Sequence, residues 1–275
     1  MNDRVCVSAV SSYSWSLEQD LAFWAAAGVG RVELSVRKME AAGMERALEL
    51  VRRAGLRIDS IIEAGQFVLG DPTTWSAQRE RLGRAVDLAA ATGAHCVVLL
   101  FGAPGRLTWE DAAGALVEAF GPVPVLARDA GVVLALENTS ALRVDLSFVH
   151  TLGDALDLAR SLDVGVCMEV QSCWAERGLA ATVTDAVSAG RLALVQVSDA
   201  IVGSLTTPDR AVPGDGDVPL SRILRDVLGA GYTGVFDLEL IGPRIEAEGY
   251  GGAITRSLAV LGRLLDELAA PGNAG

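Results

Sequence analysis

VVLALENTSALRVDLSFVHTLGDALDLARSLDVGVCME (residues 132–169) reads as one strand–helix–strand unit. Two short apolar runs, Val132–Glu137 and Val164–Glu169, flank an amphipathic stretch, TLGDALDLA, whose Thr151 and Asp154 resemble a capping box. A helix joining two strands in this way implies parallel pairing through a right-handed crossover. Working outward, the same unit recurs along the chain. Further strands are expected at Val5–Val10, Arg31–Ser35, Arg57–Ile62, His95–Phe101, Ala193–Ser198 and Gly234–Leu240. Between them run helical stretches such as MERALELVRRAG, WSAQRERLGRAVDLAAATG and LSRILRDVLGAGY, several with a Gly just before the next strand. Eight such units in about 250 residues fit a closed barrel better than an open sheet. No internal repeat or linker divides the chain. The expectation is α/β class, a single (β/α)8 barrel over residues 1–275.

Composition narrows the function. Hydrophobic residues make up 51% of the 275, enough for a substantial core, yet no run of about 18 apolar residues appears. The start, MNDRVCVSAVSSYSW, lacks an apolar stretch behind a basic flank and does not read as a signal peptide. Cys6, Cys96, Cys167 and Cys173 mostly sit in apolar, strand-like surroundings and read as reduced thiols. A cytoplasmic location is therefore expected. A net charge of −12 argues against nucleic acid, leaving a small polar molecule as the partner; no membrane is implied, and a homo-oligomer stays open. Two histidines, His95 and His150, cannot build a His-rich zinc site. The one lysine, Lys38, falls in the charged stretch VRKMEAAG and is expected to be solvated, which removes Schiff-base chemistry.

In such barrels the chemistry sits at the C-terminal ends of the strands. Five of the eight predicted strands end at or near a glutamate: Glu33, Glu63, Glu137, Glu169 and Glu239. With 35 acidic residues in the chain, that count arises by chance roughly one time in ten when the position slides over three residues. Parity adds a second criterion, because alternate residues share a face. It groups Val133, Ala135 and Glu137; Gly165, Cys167 and Glu169; Leu194, Gln196 and Ser198; and Val235, Asp237 and Glu239. If these sets point inward, Glu137, Glu169, Gln196 and Glu239 ring the barrel mouth. Carboxylates so placed repel one another unless a cation lies between them, and an all-oxygen set suits one hard divalent ion, Mg2+ or Mn2+.

These residues resemble the xylose-isomerase-like TIM-barrel superfamily of sugar isomerases, epimerases and dehydratases, over nearly the whole chain. LALENTS resembles the segment with the first metal-binding Glu, here Glu137, and VGVCMEV the segment with the second acidic ligand, usually Asp and here Glu169. LVQVSDA resembles the third ligand strand, with Gln196, and VFDLELIGPRI the last, with Glu239. QVSDAIVGSLTTPDRAVPGDGDVPL looks like hydroxypyruvate isomerases, which pair a Gln ligand with an Arg–Pro–Gly loop, matched by Arg210, Pro213 and Gly214. Two positions depart: Ser172 and Thr139 stand where relatives often carry a histidine.

The resemblance implies a metal-dependent isomerase or epimerase of a small hydroxy-keto or sugar-like compound, with Glu137 and Glu239 transferring the proton. A dehydratase or lyase would use the same residues, and a non-catalytic barrel subunit is the reading from another class. Arg210 is expected to clamp an anionic or polar part of the substrate, with Arg143 and Arg244 more weakly placed for that work, and pairing with a neighbouring Asp or Glu is an equal alternative in so acidic a chain. Trp15, Phe67 and Trp174 follow strand ends and are candidates for the pocket wall, Trp174 foremost. Glu63 is a further substrate-side candidate, though it and Glu33 suit salt-bridged support equally well. His95 is expected in the core on the N-terminal face, His150 at the start of a helix, and Gly214–Asp217 as a turn.

Overall fold

A computed structural model describes residues 2–63 and 65–270. Its centre is a closed barrel of parallel strands. In chain order these are β1 Val5–Ser8, β2 Arg31–Ser35, β3 Arg57–Ile62, β4 Cys96–Leu99, β5 Val133–Glu137, β6 Gly165–Glu169, β7 Leu192–Val197 and β8 Phe236–Leu238. Each pairs with its neighbour in sequence, and β1 closes on β8 through Val5–Phe236, Cys6–Asp237 and Val7–Leu238. This is the (β/α)8 barrel that the strand–helix alternation predicts, with several strands shorter than expected at their ends. β1 stops early because the Ser8 hydroxyl accepts the Val10 N–H and turns Ala9–Ser12 into a 3-10 helix.

Two apolar cores follow from strand parity. Outward side chains such as Val97, Leu134, Val166 and Val195 join the helices in one large core. Inward ones form a small core in the barrel, including Cys6, Cys96, Ala135, Cys167, Leu194 and Val235. The floor of β6 needs glycine: a Cβ at Gly165 would lie 2.8 Å from Val133 Cγ1 and 3.0 Å from the Arg191 carbonyl oxygen. All four cysteines are free and buried, in keeping with the reading of reduced thiols. The helix Leu152–Leu162 starts as expected, with Thr151 Oγ1 accepting the Asp154 N–H at 3.0 Å. No described helix is long and apolar enough to cross a membrane.

Two expectations need correction. Lys38 is not solvated: on the helix Val36–Ala42 it is 2% exposed, its Nζ 2.6 Å from Asp20 Oδ2 and 2.8 Å from the Ser12 carbonyl oxygen. His95 lies on the N-terminal face as expected, but its side chain is exposed rather than in the core. It faces a hollow with Arg4, Arg31 and Arg57, because its position just before β4 leaves it outside the barrel wall.

Candidate active site

Above the small inner core the barrel turns polar, and the predicted glutamates converge there. Glu137 ends β5, Glu169 ends β6 in register with Gln196 of β7, and Glu239 follows β8. All four side chains are buried; Glu137 and Glu239 keep 6% exposure and line a cavity of about 730 Å3 at the C-terminal mouth. Neighbouring groups fix their backbones. Asn138 donates from Nδ2 to the Glu169 carbonyl oxygen and accepts the Glu169 N–H through Oδ1, at 3.1 and 3.0 Å. Ser11 Oγ donates to the Leu238 carbonyl oxygen and accepts the Leu240 N–H, which pins the chain on either side of Glu239.

Arg210 stands among these carboxylates. Its Nη1 donates to Glu169 Oε2 and, at 3.2 Å, to the Glu239 carbonyl oxygen; its Nη2 lies 3.1 Å from Glu239 Oε1. A short antiparallel pair, Asp199–Ala200 with Arg210–Ala211, carries it back over the mouth. Asp199 organises that loop by accepting the N–H groups of Gly214 and Val218. Gly216 packs against it so closely that a Cβ would lie 2.3 Å from Asp199 Oδ1. The Gly214–Asp217 segment is thus a brace for the Arg210 loop, in agreement with its reading as a turn. Sequence reasoning passed over Asp199 and Asn138; their only local signal is a polar residue just beyond a strand end.

The arrangement leaves a buried oxygen and a buried nitrogen without partners among the described residues. Glu239 Oε2 and Gln196 Nε2 are buried and unbonded, while Gln196 Oε1 accepts the Cys167 thiol at 3.3 Å. Among the described residues no three His, Cys, Asp or Glu side chains form a ready-made metal cage, since Arg210 bridges two of the glutamates. Burial drives the acids up. Glu137 is pushed well above the usual carboxylate range by burial and then by Glu239 and Glu169. Burial lifts Glu169 to about 7 against the pull of Arg210, and Glu239 moves up for the same reason with the same opposition.

Deeper in the barrel, Glu33 accepts Ser8 Oγ at 2.5 Å and Ser60 Oγ at 2.9 Å, and burial and the charge of Glu239 bring it to about 8. Among the described residues neither Asp237 carboxylate oxygen has a hydrogen-bond partner, and burial, then the charge of Glu33, raises it well above the ordinary value.

The remaining candidates divide. Glu63 lines the cavity in a left-handed conformation at φ 61°, accepts Ser35 Oγ and pairs with Arg37 at 3.0 Å. Arg143 also lines it, held bidentately by Asp145 at 2.9 and 2.8 Å. Arg244 instead pairs with Asp209 at 3.1 Å. Thr139 and Ser172 both face the cavity, so hydroxyls occupy the positions where the resemblance leads one to look for histidine. His150 lies just before its helix, with Nδ1 2.9 Å from the Thr139 carbonyl oxygen. Trp174 is a correction: it packs half-buried against the outer core and is no part of the cavity wall, because the helix Val170–Cys173 turns it away. Trp15 packs edge-on against Phe23 and Tyr250, while Phe67 meets Phe120 with the rings tilted at 43°.

The raised acids set a pH dependence of stability. Glu33, Glu137, Glu169 and Asp237 hold protons in the folded chain at pH values where the unfolded chain has released them. The stability these four groups contribute is therefore fully present below about pH 4 and is lost as pH rises through the raised values. In the presence of EDTA, the melting temperature should fall by several degrees between about pH 5.5 and 8.5, 1 kcal/mol being worth about 2–4 °C at this size. A flat or rising profile would show that these carboxyls ionise freely.

Searches against known proteins agree with the geometry. A family model described as a xylose isomerase-like TIM barrel matches residues 21–261. Among solved structures, a Sinorhizobium meliloti protein is 25% identical, with 97% of this chain and 98% of that one covered and a TM-score of 0.85. The IolI protein with a bound zinc atom is 16% identical, covering 98% and 100%, with a TM-score of 0.83. An L-ribulose 3-epimerase is 18% identical, covering 98% and 99%, with a TM-score of 0.75. A search among curated proteins finds no sequence match. With the closed barrel, the acidic strand ends and a family model spanning most of its length, the chain belongs to the xylose isomerase-like TIM barrel family.

Proposed function

We propose that the chain is an isomerase or epimerase that moves a proton next to the carbonyl of a small hydroxy-ketone or sugar-like compound. The observation that carries this reading is a pair of buried, cavity-lining glutamates, Glu137 and Glu239, on strand ends separated by β6 and β7, with one Glu239 oxygen unpartnered. Burial raises both carboxyls, which makes each a stronger base when ionised and better able to hold a proton for return. In this reading Glu239 removes the proton from the carbon beside the carbonyl and Glu137 returns one from its own side of the mouth. Arg210 holds Glu239 through both its carboxylate and its main-chain carbonyl, which keeps the base aimed into the cavity. Exchange of the roles of Glu137 and Glu239 fits an epimerase, in which proton removal and return occur on different faces.

The donor set is chemically suited to one divalent cation, for which we propose Mg2+ or Mn2+. Once all three carboxyls are ionised, they leave two negative charges against the one guanidinium for an ion to balance, and Glu239 Oε2 is a free acceptor. The Gln196 amide, turned end over end, presents an oxygen where its unpartnered nitrogen now lies. Glu137, Glu169, Gln196 and Glu239 would hold the ion, with Glu169 and Glu239 shared with Arg210. When bound, such an ion supplies Lewis-acid stabilisation of negative charge on the substrate oxygens. That an L-ribulose 3-epimerase has the same barrel supports the reaction class.

The test is proton NMR in D2O with a panel of small hydroxy-ketones and ketoses, with Mn2+ or Mg2+ added and again in EDTA. Deuterium should enter at the carbon beside the carbonyl of at least one compound, and EDTA should suppress it. No exchange across the panel, together with no metal retained on dialysis, would defeat the proposal.

A further inference from the structure

Four arginines line the cavity: Arg37, Arg81, Arg143 and Arg210. In three of them the charge is committed. Arg37 pairs with Glu63 at 3.0 Å, Arg143 with both oxygens of Asp145, and Arg210 with Glu169 and Glu239. Arg81 differs. Its nearest carboxylate is Glu40, 3.6 Å away with both side chains roughly half exposed, a separation and setting in which an ion pair contributes little. Its Nε is buried and, among the described residues, has no hydrogen-bond partner. A buried guanidinium N–H without an acceptor costs free energy that an anion would recover.

The surroundings show where that anion would lie. Arg81 is on the helix Trp75–Thr92, which follows β3, and the backbone at Gly65 lies against its side chain. Gly65 has φ +98°, and a Cβ there would come within 3.1 Å of Arg81 Cδ and Nε, so glycine lets the loop seat the arginine. Beside it a side chamber of about 190 Å3 opens, sharing Gly65, Gln66, Arg81 and Leu100 with the main cavity and walled by Phe67 and Phe120. The main cavity, about 730 Å3, falls in the range of about 300–1,000 Å3 that takes ligands of drug size, more than a bare three-carbon compound fills.

We propose that Arg81 anchors an anionic terminus, a phosphate or a carboxylate, of the substrate whose hydroxy-ketone end lies at Glu137 and Glu239. This rests on the proton-transfer reading of the site and names its substrate class: an acidic sugar derivative, phosphorylated or carboxylated at the end remote from the reacting carbon. It also moves the anion-binding task from Arg210, whose charge Glu169 and Glu239 already hold, to an arginine on the other side of the mouth.

Titration calorimetry with three ketohexose probes decides it: neutral D-fructose, phosphorylated D-fructose 6-phosphate, and carboxylated 5-keto-D-gluconate. One anionic probe should bind at least about tenfold tighter than fructose, and which one does so identifies phosphate or carboxylate as the anchor. Arg81→Gln should reduce that preference to within about twofold while leaving fructose binding within about twofold; Arg81→Lys should keep much of it. Arg57→Gln, on the opposite face of the barrel, should leave the preference unchanged, which separates a local contact from overall charge. Equal binding of all three probes overturns the inference, as does a preference that survives Arg81→Gln. If fructose undergoes deuterium exchange but the anions bind no better, Arg81 alone loses its role. If no probe binds and none exchanges, the proton-transfer reading falls, and the Arg81 assignment with it.

Discussion

Glu239→Gln should give a folded protein in which substrate deuterium exchange is slowed by about 10²–10⁴-fold, the range contributed by a positioned acid–base group. The substitution keeps the shape of the side chain. An amide oxygen can still accept Arg210 Nη2 where Glu239 Oε1 does now, and the main-chain carbonyl still accepts Nη1. The clamp of Ser11 on Leu238 and Leu240 is untouched, so the backbone stays in place. What disappears is the free, buried Oε2, the one carboxylate oxygen of this residue with no partner. Exchange rates measured at saturating Mn2+, with bound metal counted in wild type and variant, separate loss of the base from loss of the ion. Normal exchange at full metal occupancy would remove Glu239 from proton transfer and pass the role to Glu137 or Glu63, both of which line the cavity.

The barrel and the acidic rim were legible because both follow from a period of two. Once Val132–Glu137 and Val164–Glu169 are read as strands, parity sends Ala135 and Cys167 inward, and both lie in the inner core. The same parity brings Glu137 and Glu239 to the cavity, while Glu169 and Gln196 lie fully buried on the two strands between them. What the chain pattern does not encode is which distant side chain meets which. Arg210 reaches Glu169 across 41 residues, and nothing between Gln196 and Gly214 announces that the loop folds back. Its resemblance to a substrate-binding loop suggested an open guanidinium, whereas the Asp199 brace turns it onto the carboxylates. Arg81 was invisible for another reason. It sits mid-helix in a run of charged residues, and only the close approach of Gly65 shows that part of it is buried.

Lys38→Met should destabilise the fold by about 3–5 kcal/mol near pH 8, the cost of leaving one partner of a buried ion pair alone. The stretch VRKMEAAG suggests a solvated lysine because charge surrounds it, but helix geometry separates its neighbours. Lys38 points inward between the start of the chain's first long helix, Leu17–Ala27, and the turn at Ser12, while Arg37 is directed to Glu63 at the mouth. Asp20 is fully buried beside it and also accepts Ser12 Oγ at 2.5 Å. Burial already raises Asp20 to about 6 in spite of Lys38, and without the ammonium it would rise further. The sign follows: an acid with a raised folded-state value is protonated and tolerated below its unfolded value near 4, and stability is lost as pH climbs through the raised value. The penalty of Lys38→Met should therefore be small near pH 5 and reach its full size near pH 8, as read from urea unfolding at both. Adding Asp20→Asn should recover part of the loss at pH 8, since the stranded charge is then gone. A penalty below about 1 kcal/mol at pH 8, or one independent of pH, would mean that water reaches the pair, because an exposed ion pair is worth no more than that.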